Sequence, residues 1–278
     1  MSPSTKRSYA REVFETREIL ANLTMRETRG QYRRTALGQL WSVLNPLATM
    51  LVYTVVFAFI LKALPPPGNP SGLEIYALWL MSGMLPWLFF VRVVTGGLSS
   101  IVANAPLITK VYFPRIHLPL SVAAATGITW AIELGVLTVA LLLFGGFPLP
   151  WLPLVVVAMV FLAIFATGLA LLLGVANVYF RDTEHFVAIA LPMWMFLTPV
   201  IYPIQLVEDL AQRSGEWIIV LYRLNPMQRF LEVFRDLLYD NRLPQWTDSL
   251  ACIVASLTVF ALGYVVFVRK ESRLAELL

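Results

Sequence analysis

The sequence is poor in charge, cysteine and histidine. Charged residues are 14% of the 278 residues, against roughly 25% in soluble domains, which excludes a soluble globular protein. A single cysteine, Cys252, excludes an internal disulfide framework. Two histidines, no G-x-x-x-x-G-K-[ST] and no G-x-S-x-G leave no metal cluster, no P-loop and no nucleophile elbow. The sequence therefore predicts no catalytic residue, no metal and no cofactor on this chain, and no nucleic-acid partner. Energy for any work must come from a partner or from an ion gradient.

Long uncharged runs are what the chain has instead. A helix needs about 20 mostly apolar residues to cross a bilayer. Continuous apolar runs favour helices over strands as the spanning elements. The fold class expected is therefore an all-α integral membrane protein. The runs without a charged residue are 35–61, 75–91, 134–180, 185–207 and 249–268.

Six transmembrane helices account for these runs within one transmembrane domain, 1–278. The longest run exceeds one helix, and Gly145-Gly146-Phe147-Pro148 divides it. The predicted helices are 45–64, 73–101, 118–144, 151–177, 186–202 and 249–268.

Lysine and arginine in the loops predict the orientation. One side collects fourteen of them, eight between Lys6 and Arg34, whereas the other side holds six, offset by seven acids between Glu208 and Asp248. Both termini are therefore expected in the cytoplasm, with the N-terminal segment retained.

The N-terminal segment, 1–40, alternates apolar and charged residues and predicts an amphipathic helix along the membrane surface. A solvated helix that only enforces topology is the alternative. Arg29, Arg33 and Arg34 are candidates for lipid phosphates by electrostatics, although topology alone is the simpler reason for these arginines.

A second amphipathic segment, 216–239, lies between the last two predicted spans. WIIVLY is too short to cross the membrane, and PMQRFLEVFRDLLYD places apolar residues on one helical face. The pair could dip into the membrane as a cap over an opening, or rest on the outer headgroups.

The stretch NAPLITKVYFPRIHLPLS, residues 104–121, is a stiff, basic elbow between two apolar runs. Pro106, Pro114 and Pro119 bracket a segment long enough for two or three helical turns. A rigid helix there could transmit a push, unlike a Gly/Ser loop. The alternative is a basic loop that only fixes topology.

Two groups of ionisable residues support rival functions. Glu133 is the one acid inside the predicted membrane interior, with Arg92 as its one plausible mate; an ionised carboxyl there must face protein or water. It would serve an ATP-independent carrier, or it would fix helix packing. Asp182, Glu184 and His185 would serve a membrane transferase, or form a hydrated turn. Aromatic residues on predicted helices one and five, Tyr53, Phe57, Trp194 and Phe196, could stack on sugar rings or simply pack.

Six motifs in register resemble the membrane permeases of bacterial ABC-type polysaccharide exporters, which carry O-antigen, capsule, galactan or teichoic acid. They are RRTALGQLWSVLNPLATMLVYTVVF, SGMLPWLFF, NAPLITKVYFPRIHLPLS, NVYFRD, LTPVIY and LNPMQRF. The resemblance extends over nearly the whole chain.

The resemblance implies a homodimer in the bacterial cytoplasmic membrane, paired with two cytoplasmic ATPase subunits that bind ATP and magnesium. The substrate implied is a polyprenyl-linked polysaccharide, although a drug or small-lipid exporter shares this architecture. The elbow would be the coupling helix, 104–115, with ATPase contacts at Asn104, Leu107, Lys110, Val111, Tyr112, Phe113 and Arg115. The 216–239 segment would form the outward gate, with Trp217, Pro226, Phe230 and Phe234.

Overall fold

The computed structural model describes residues 9–31, 37–60 and 65–277, and every regular element in these ranges is helical. Four short 3₁₀ or π segments adjoin the α-helices in these ranges. The α-helices are α1 (Tyr9–Glu15), α2 (Arg17–Gln31), α3 (Trp41–Tyr53), α4 (Tyr76–Ala103), α5 (Ala105–Ile108), α6 (His117–Leu143), α7 (Leu152–Tyr179), α8 (Thr183–Phe196), α9 (Gln205–Ser214), α10 (Trp217–Leu224), α11 (Pro226–Arg235) and α12 (Trp246–Leu277).

Four of these helices are long and apolar enough to cross a membrane. They are α4, α6, α7 with its preceding turn, and the Trp246–Glu271 part of α12. They correspond to the predicted helices two, three, four and six, with ends shifted by a few residues. The all-α, membrane-spanning class is confirmed, whereas six spans stay a prediction.

The first and fifth predicted spans are shorter than a membrane-spanning helix within the described residues. Helix α3 continues as a π-helix, Thr54–Ile60, and residues 61–64 lie outside the described ranges. Helix α8 ends at Phe196, so the boundary predicted at residue 202 was wrong. Proline disfavours helical backbone at the residue before it, and Pro199 follows three positions after Phe196. At 14 residues, α8 is about 21 Å long, shorter than a hydrocarbon core of about 30 Å.

Helix α4 is the centre of the bundle. It packs against α6, α7 and α11, and a helix that is apolar all round is expected in such a position. Phe90, Val93 and Val94 are fully buried. Gly97 allows α7 to approach, because a β-carbon there would lie 2.7 Å from Ala170 Cβ. Small residues allow membrane helices to pack closely in this way.

Helices α7 and α12 form the other close pair. Gly168 of α7 faces the backbone of Phe260 in α12, and a β-carbon at Gly168 would lie 2.6 Å from Phe260 Cα. Gly263, one turn further on, meets Gly168. Contact is therefore backbone against backbone, without side chains between the helices.

The two ends of the bundle are formed by different segments of the chain. The elbow end contains α1, α2, residues 104–116 and the C-terminal part of α12, which contact one another. The hairpin end contains residues 65–75 and the helices α9 to α11.

Candidate functional site

The elbow contains a much shorter helix than predicted. Only Ala105–Ile108 is helical, one turn, and residues 109–116 form turns and extended chain. The expected coupling helix over 104–115 was therefore too long. Pro114 disfavours helical backbone at Phe113 and removes a backbone donor, but the helix already ends at Ile108, five residues before Phe113.

The elbow is nevertheless held firmly at both ends. Asn104 accepts a hydrogen bond from Arg26 of α2 at 2.7 Å and donates to the Ser100 carbonyl at 2.8 Å. At the other end, the backbone N–H of Arg115 donates to Glu271 of α12 at 2.7 Å, and its guanidinium donates to the Glu271 carbonyl. These bonds fix the segment relative to the bundle, as a lever requires.

Further contacts hold the elbow against α1 and α6. The Thr16 hydroxyl, at the break between α1 and α2, lies 2.7 Å from His117 Nε2 at the start of α6. Phe113 is buried beneath the elbow, together with Ile108 and Ile116. Leu107 is half-buried in the same cluster. Phe113 and Arg115, both predicted as partner contacts, therefore serve to anchor the elbow.

The tip of the elbow is exposed. Tyr112 is 82% exposed and Val111 50% exposed, and Lys110 beside them is exposed as well. A hydrogen bond to Glu12, the main cause, raises the pKa of the Tyr112 phenol and connects the tip to α1. We call Lys110, Val111 and Tyr112 the elbow tip. It offers an exposed aromatic ring, a residue type enriched at protein interfaces, beside an aliphatic side chain and a cation.

The predicted phosphate-binding arginines are only partly described. Arg29 lies in the last turn of α2 and is exposed. Arg33 and Arg34 lie outside the described residues. Their role stays a prediction.

Arg92 of α4 and Glu133 of α6 form an ion pair, with Nη1 2.8 Å from Oε1. The side chain of Glu133 is 3% exposed and that of Arg92 38% exposed. The sequence had identified Arg92 as the one mate available, and the structure places the two side chains in contact. The pair connects two spanning helices. It also gives the Glu133 carboxyl a partner, because a carboxylate without one is costly inside a membrane.

This pair lies at the inner end of a polar crevice of about 480 Å³. The crevice is bordered by α4 and α6 and, towards the elbow, by Glu27 of α2 and Asn45 of α3. We call it the α4–α6 crevice. The polar side chains that line it are Glu27, Asn45, Arg92, Thr95, Ser99, Ser100, Asn104, Thr126, Thr129 and Glu133.

The aromatic residues predicted to line a channel occupy different environments. Phe57 stacks on Tyr76 with ring centroids 4.3 Å apart, and Tyr53 packs beside it. Trp194 lies edge-on to Phe90 at 5.2 Å. Phe196 is exposed at the end of α8. No continuous aromatic path exists among these four in the single described chain.

Helix α11 of the α10–α11 hairpin packs onto the bundle, whereas α10 has no buried residue. Phe230 and Phe234 are fully buried, Phe230 against Phe165 of α7 and Phe234 against Trp130 of α6. Trp217 at the start of α10 is exposed. Pro226 is the first residue of α11, where a missing backbone N–H costs nothing.

The side chain of Asn225 connects the LTPVIY segment with the LNPMQRF segment. Its side-chain oxygen accepts from Met227 N–H, capping α11, and from Trp194 Nε1 at 3.0 Å. Its amide donates to Thr198 Oγ1 at 2.8 Å. One side chain thus joins the end of α8, the turn after it and the hairpin.

Arg235 reinforces this junction and was missed by sequence reasoning, which placed it on the polar face of an amphipathic helix. Its guanidinium is buried, donates to the carbonyls of Pro199 and Val200 at 2.8 Å each, and lies 3.9 Å from the centre of the Trp79 ring. Burial lowers its pKa to about 10, so it stays charged at neutral pH. Gly83 leaves the room for it on α4. The proline that turns the chain after α8 was the available signal, since it leaves carbonyls that need donors.

Arg235→Met is expected to destabilise the protein. Each buried acceptor left without a donor costs about 1–3 kcal/mol, and the aromatic contact is lost too. The measurement is the thermal midpoint of the purified chain in detergent. Arg213→Met, at an exposed site on α9, is the matched control. An Arg235→Met midpoint equal to that of the control would contradict the structural role of the buried guanidinium.

Asp182, Glu184 and His185 are exposed at the turn before α8 and in its first turn. No group of three or more histidine, cysteine or acidic residues in the described ranges is placed to hold a metal ion. The transferase hypothesis gains no support from this geometry.

The architecture is that of a multi-pass integral membrane protein with an anchored elbow at one end and a packed hairpin at the other. The chain belongs to the ABC-2 type transporter family, whose sequence model matches residues 19–239. The match includes the elbow and the hairpin, so the resemblance seen in the motifs is confirmed.

Curated relatives extend along nearly the full chain. It is 31% identical to the O-antigen export system permease protein RfbA of Myxococcus xanthus over 96% of this chain and 97% of the relative. Identity to a protein of the same name from Klebsiella pneumoniae is 30%, over 94% and 95%. The polysialic acid transport protein KpsM of Escherichia coli is 21% identical over 94% and 97%.

Proposed function

We propose that this chain is the permease subunit of an ATP-driven exporter that moves a lipid-linked polysaccharide across the bacterial inner membrane. The observation that carries the proposal is full-length similarity to permeases named for O-antigen export, together with relatives named for polysialic acid and capsule polysaccharide transport. A transport subunit of this kind carries no catalytic residue of its own.

The partner proposed is a cytoplasmic ATPase that binds ATP and magnesium, two copies for a dimer of this chain. The elbow tip supports this, because its exposed Tyr112 and Lys110 project from a segment anchored at Asn104 and Arg115. A push on the tip would pass through Asn104 to α4 and through Arg115 to α12.

The proposed topology has six spans and both termini in the cytoplasm. Helix α3 with its π-helical continuation and helix α8 supply the first and fifth spans, and in a dimer they would line the channel with Tyr53, Phe57, Trp194 and Phe196. Helices α1 and α2 would lie along the membrane surface, with Arg29, Arg33 and Arg34 near lipid phosphates. The hairpin, with Trp217, Pro226, Phe230 and Phe234, would form the outward gate.

Gene deletion in the host cell tests the proposal. The expected result is loss of the surface polysaccharide together with accumulation of its lipid-linked form inside the cell. Both should be restored by the tagged chain, which should co-purify with an ATPase subunit. Surface polysaccharide that is unchanged by the deletion would contradict the proposed function.

A nucleotide test separates this function from an ATP-independent carrier. Export should stop when the P-loop lysine of the co-purified ATPase is replaced, because that lysine contacts the nucleotide phosphates. Export that survives this change but is lost in Glu133→Gln would instead support the carrier.

A further inference from the structure

Apart from Asn104, which borders it, the α4–α6 crevice is separate from the elbow, the hairpin and the channel aromatic residues proposed above. It reaches from the elbow end to Arg92, eleven residues before the end of α4 at Ala103. At 1.5 Å per residue this depth is about 16 Å, near the middle of a hydrocarbon core about 30 Å thick. A polar crevice at that depth is a candidate ligand site, and its volume of about 480 Å³ falls in the usual range for small-molecule pockets.

The hydroxyl groups in the crevice present acceptors. Thr95 donates to the Val91 carbonyl at 2.8 Å, Ser99 to the Thr95 carbonyl at 3.1 Å and Thr126 to the Val122 carbonyl at 2.8 Å. Each hydroxyl has thereby used its one proton and keeps its oxygen lone pairs. The wall therefore favours a ligand that donates hydrogen bonds.

Glu133 adds an acceptor that lacks a partner. Its Oε1 is bound to Arg92, whereas its Oε2 is buried with no hydrogen-bond partner among the described residues. A buried carboxylate oxygen without a donor is costly. A ligand hydroxyl donating to Oε2 would remove that cost.

Arg92 supplies the donors. Its contact with Glu133 uses Nη1, and a guanidinium has five N–H groups. The side chain is 38% exposed, so further N–H groups can reach a ligand in the crevice. Asn104 uses one of its two amide N–H groups on the Ser100 carbonyl, so the other N–H group can add a further donor.

The charges in the crevice are matched. Arg92 pairs with Glu133, and Glu27 at the mouth pairs with Arg26 at 3.1 Å. A phosphate would meet the carboxylates of Glu27 and Glu133, and an ammonium group would meet the guanidinium of Arg92. A neutral molecule rich in hydroxyls avoids both and can donate to the hydroxyl wall and to Glu133 while accepting from Arg92.

We propose that the α4–α6 crevice is a binding site for neutral sugar residues of the transported glycan, held between Arg92 and Glu133. This rests on the proposed export function and adds a site that contacts the substrate about halfway through the membrane. Arg92 donates to sugar oxygens, and Glu133 accepts from a sugar hydroxyl.

Thiol protection tests the site in the full chain in lipid nanodiscs. Ser99→Cys is introduced with Cys252→Ser and labelled with a charged methanethiosulfonate reagent. The probe is the neutral oligosaccharide fraction released from the host's surface polysaccharide. At about ten times its Kd it should slow labelling about elevenfold, since protection follows 1 + [L]/Kd. Inorganic pyrophosphate should give no protection.

Three variants complete the design. Gln212→Cys, exposed on α9, should react without protection. Arg92→Met or Glu133→Gln in the Ser99→Cys chain should raise the protecting concentration at least about tenfold, since each removes a hydrogen bond to a charged group. Continued labelling in these two variants shows that the crevice is still formed.

Each other outcome overturns the proposal. Protection by pyrophosphate alone would make the crevice an anion site. Equal protection in Arg92→Met would place the sugar elsewhere, and labelling without protection would leave the crevice merely hydrated. Normal surface polysaccharide from the unsubstituted chain in any of these cases would mean that the exporter proposal stands and only the sugar site fails.

Discussion

Lys110→Glu combined with Tyr112→Ala is expected to leave a folded, inserted chain that no longer retains its ATPase partner and exports almost no polysaccharide. Both side chains project from the elbow tip, and Tyr112 is 82% exposed. Aromatic residues at interface centres often contribute 2 kcal/mol or more, roughly a 30-fold change in affinity. Reversal of the neighbouring charge adds repulsion from whatever acid the lysine meets.

Co-purification of the ATPase, stimulated ATP hydrolysis and surface polysaccharide are the three measurements. Arg213→Glu with Trp246→Ala is the matched control, because it makes the same kinds of change at exposed sites of the hairpin end. Wild-type retention of the ATPase by the elbow-tip variant would rule out the tip as the docking surface.

Arg115→Glu is not an equivalent test, although the sequence made Arg115 and Lys110 equally good contacts. The Arg115 guanidinium donates to the Glu271 carbonyl within the chain. Its replacement loosens the anchor of the elbow on α12, so a loss of export would have two explanations. The structure therefore narrows the test to Lys110 and Tyr112.

Gly168→Leu is expected to prevent the formation of a stable bundle. A β-carbon alone would lie 2.6 Å from the backbone of Phe260, and no flexible side chain is there to move aside. Overpacking costs about 1–3 kcal/mol where side chains can adjust, and the cost should reach or exceed the upper value where two helix backbones must separate.

The measurement is the yield and thermal midpoint of monodisperse protein by size-exclusion chromatography. Gly135→Leu is the matched control, since Gly135 lies at mid-helix in α6 with no atom within 4 Å of an added β-carbon. That variant should be as stable as the parent or more so, because leucine forms helices better than glycine. Equal midpoints for both variants would show that α7 and α12 do not pack through Gly168.

The junction of α8 with the hairpin shows where sequence reasoning stopped short. Both motifs, LTPVIY and LNPMQRF, were visible, but the helix predicted over 186–202 ran through Pro199, where the structure has a turn. That Asn225 and Arg235 bind the turn after α8 could not be read from spacing, because the partners are 27 to 36 residues apart in the chain. The amphipathic pattern of α11 was correct, but it did not reveal which surface its polar face would meet.

The sequence by itself determined that this protein is embedded in a membrane. Uncharged runs of helical length, a charge content of 14% and the basic bias of one side predict a helical membrane protein, since burial of backbone in lipid allows little else. Proline was a weaker guide to the turns, because Pro86 and Pro192 lie inside helices α4 and α8.

Only the tertiary structure decided which polar groups meet. Arg92 and Glu133 are 41 residues apart, and their pairing depends on how α4 and α6 are rotated about their axes. The same rotation creates the crevice beside them. The placement of α11 buries Phe230 and Phe234, and the contacts with α2 and α12 divide the elbow into anchoring and exposed residues. Such contacts depend on the relative placement of whole helices, which local sequence does not encode.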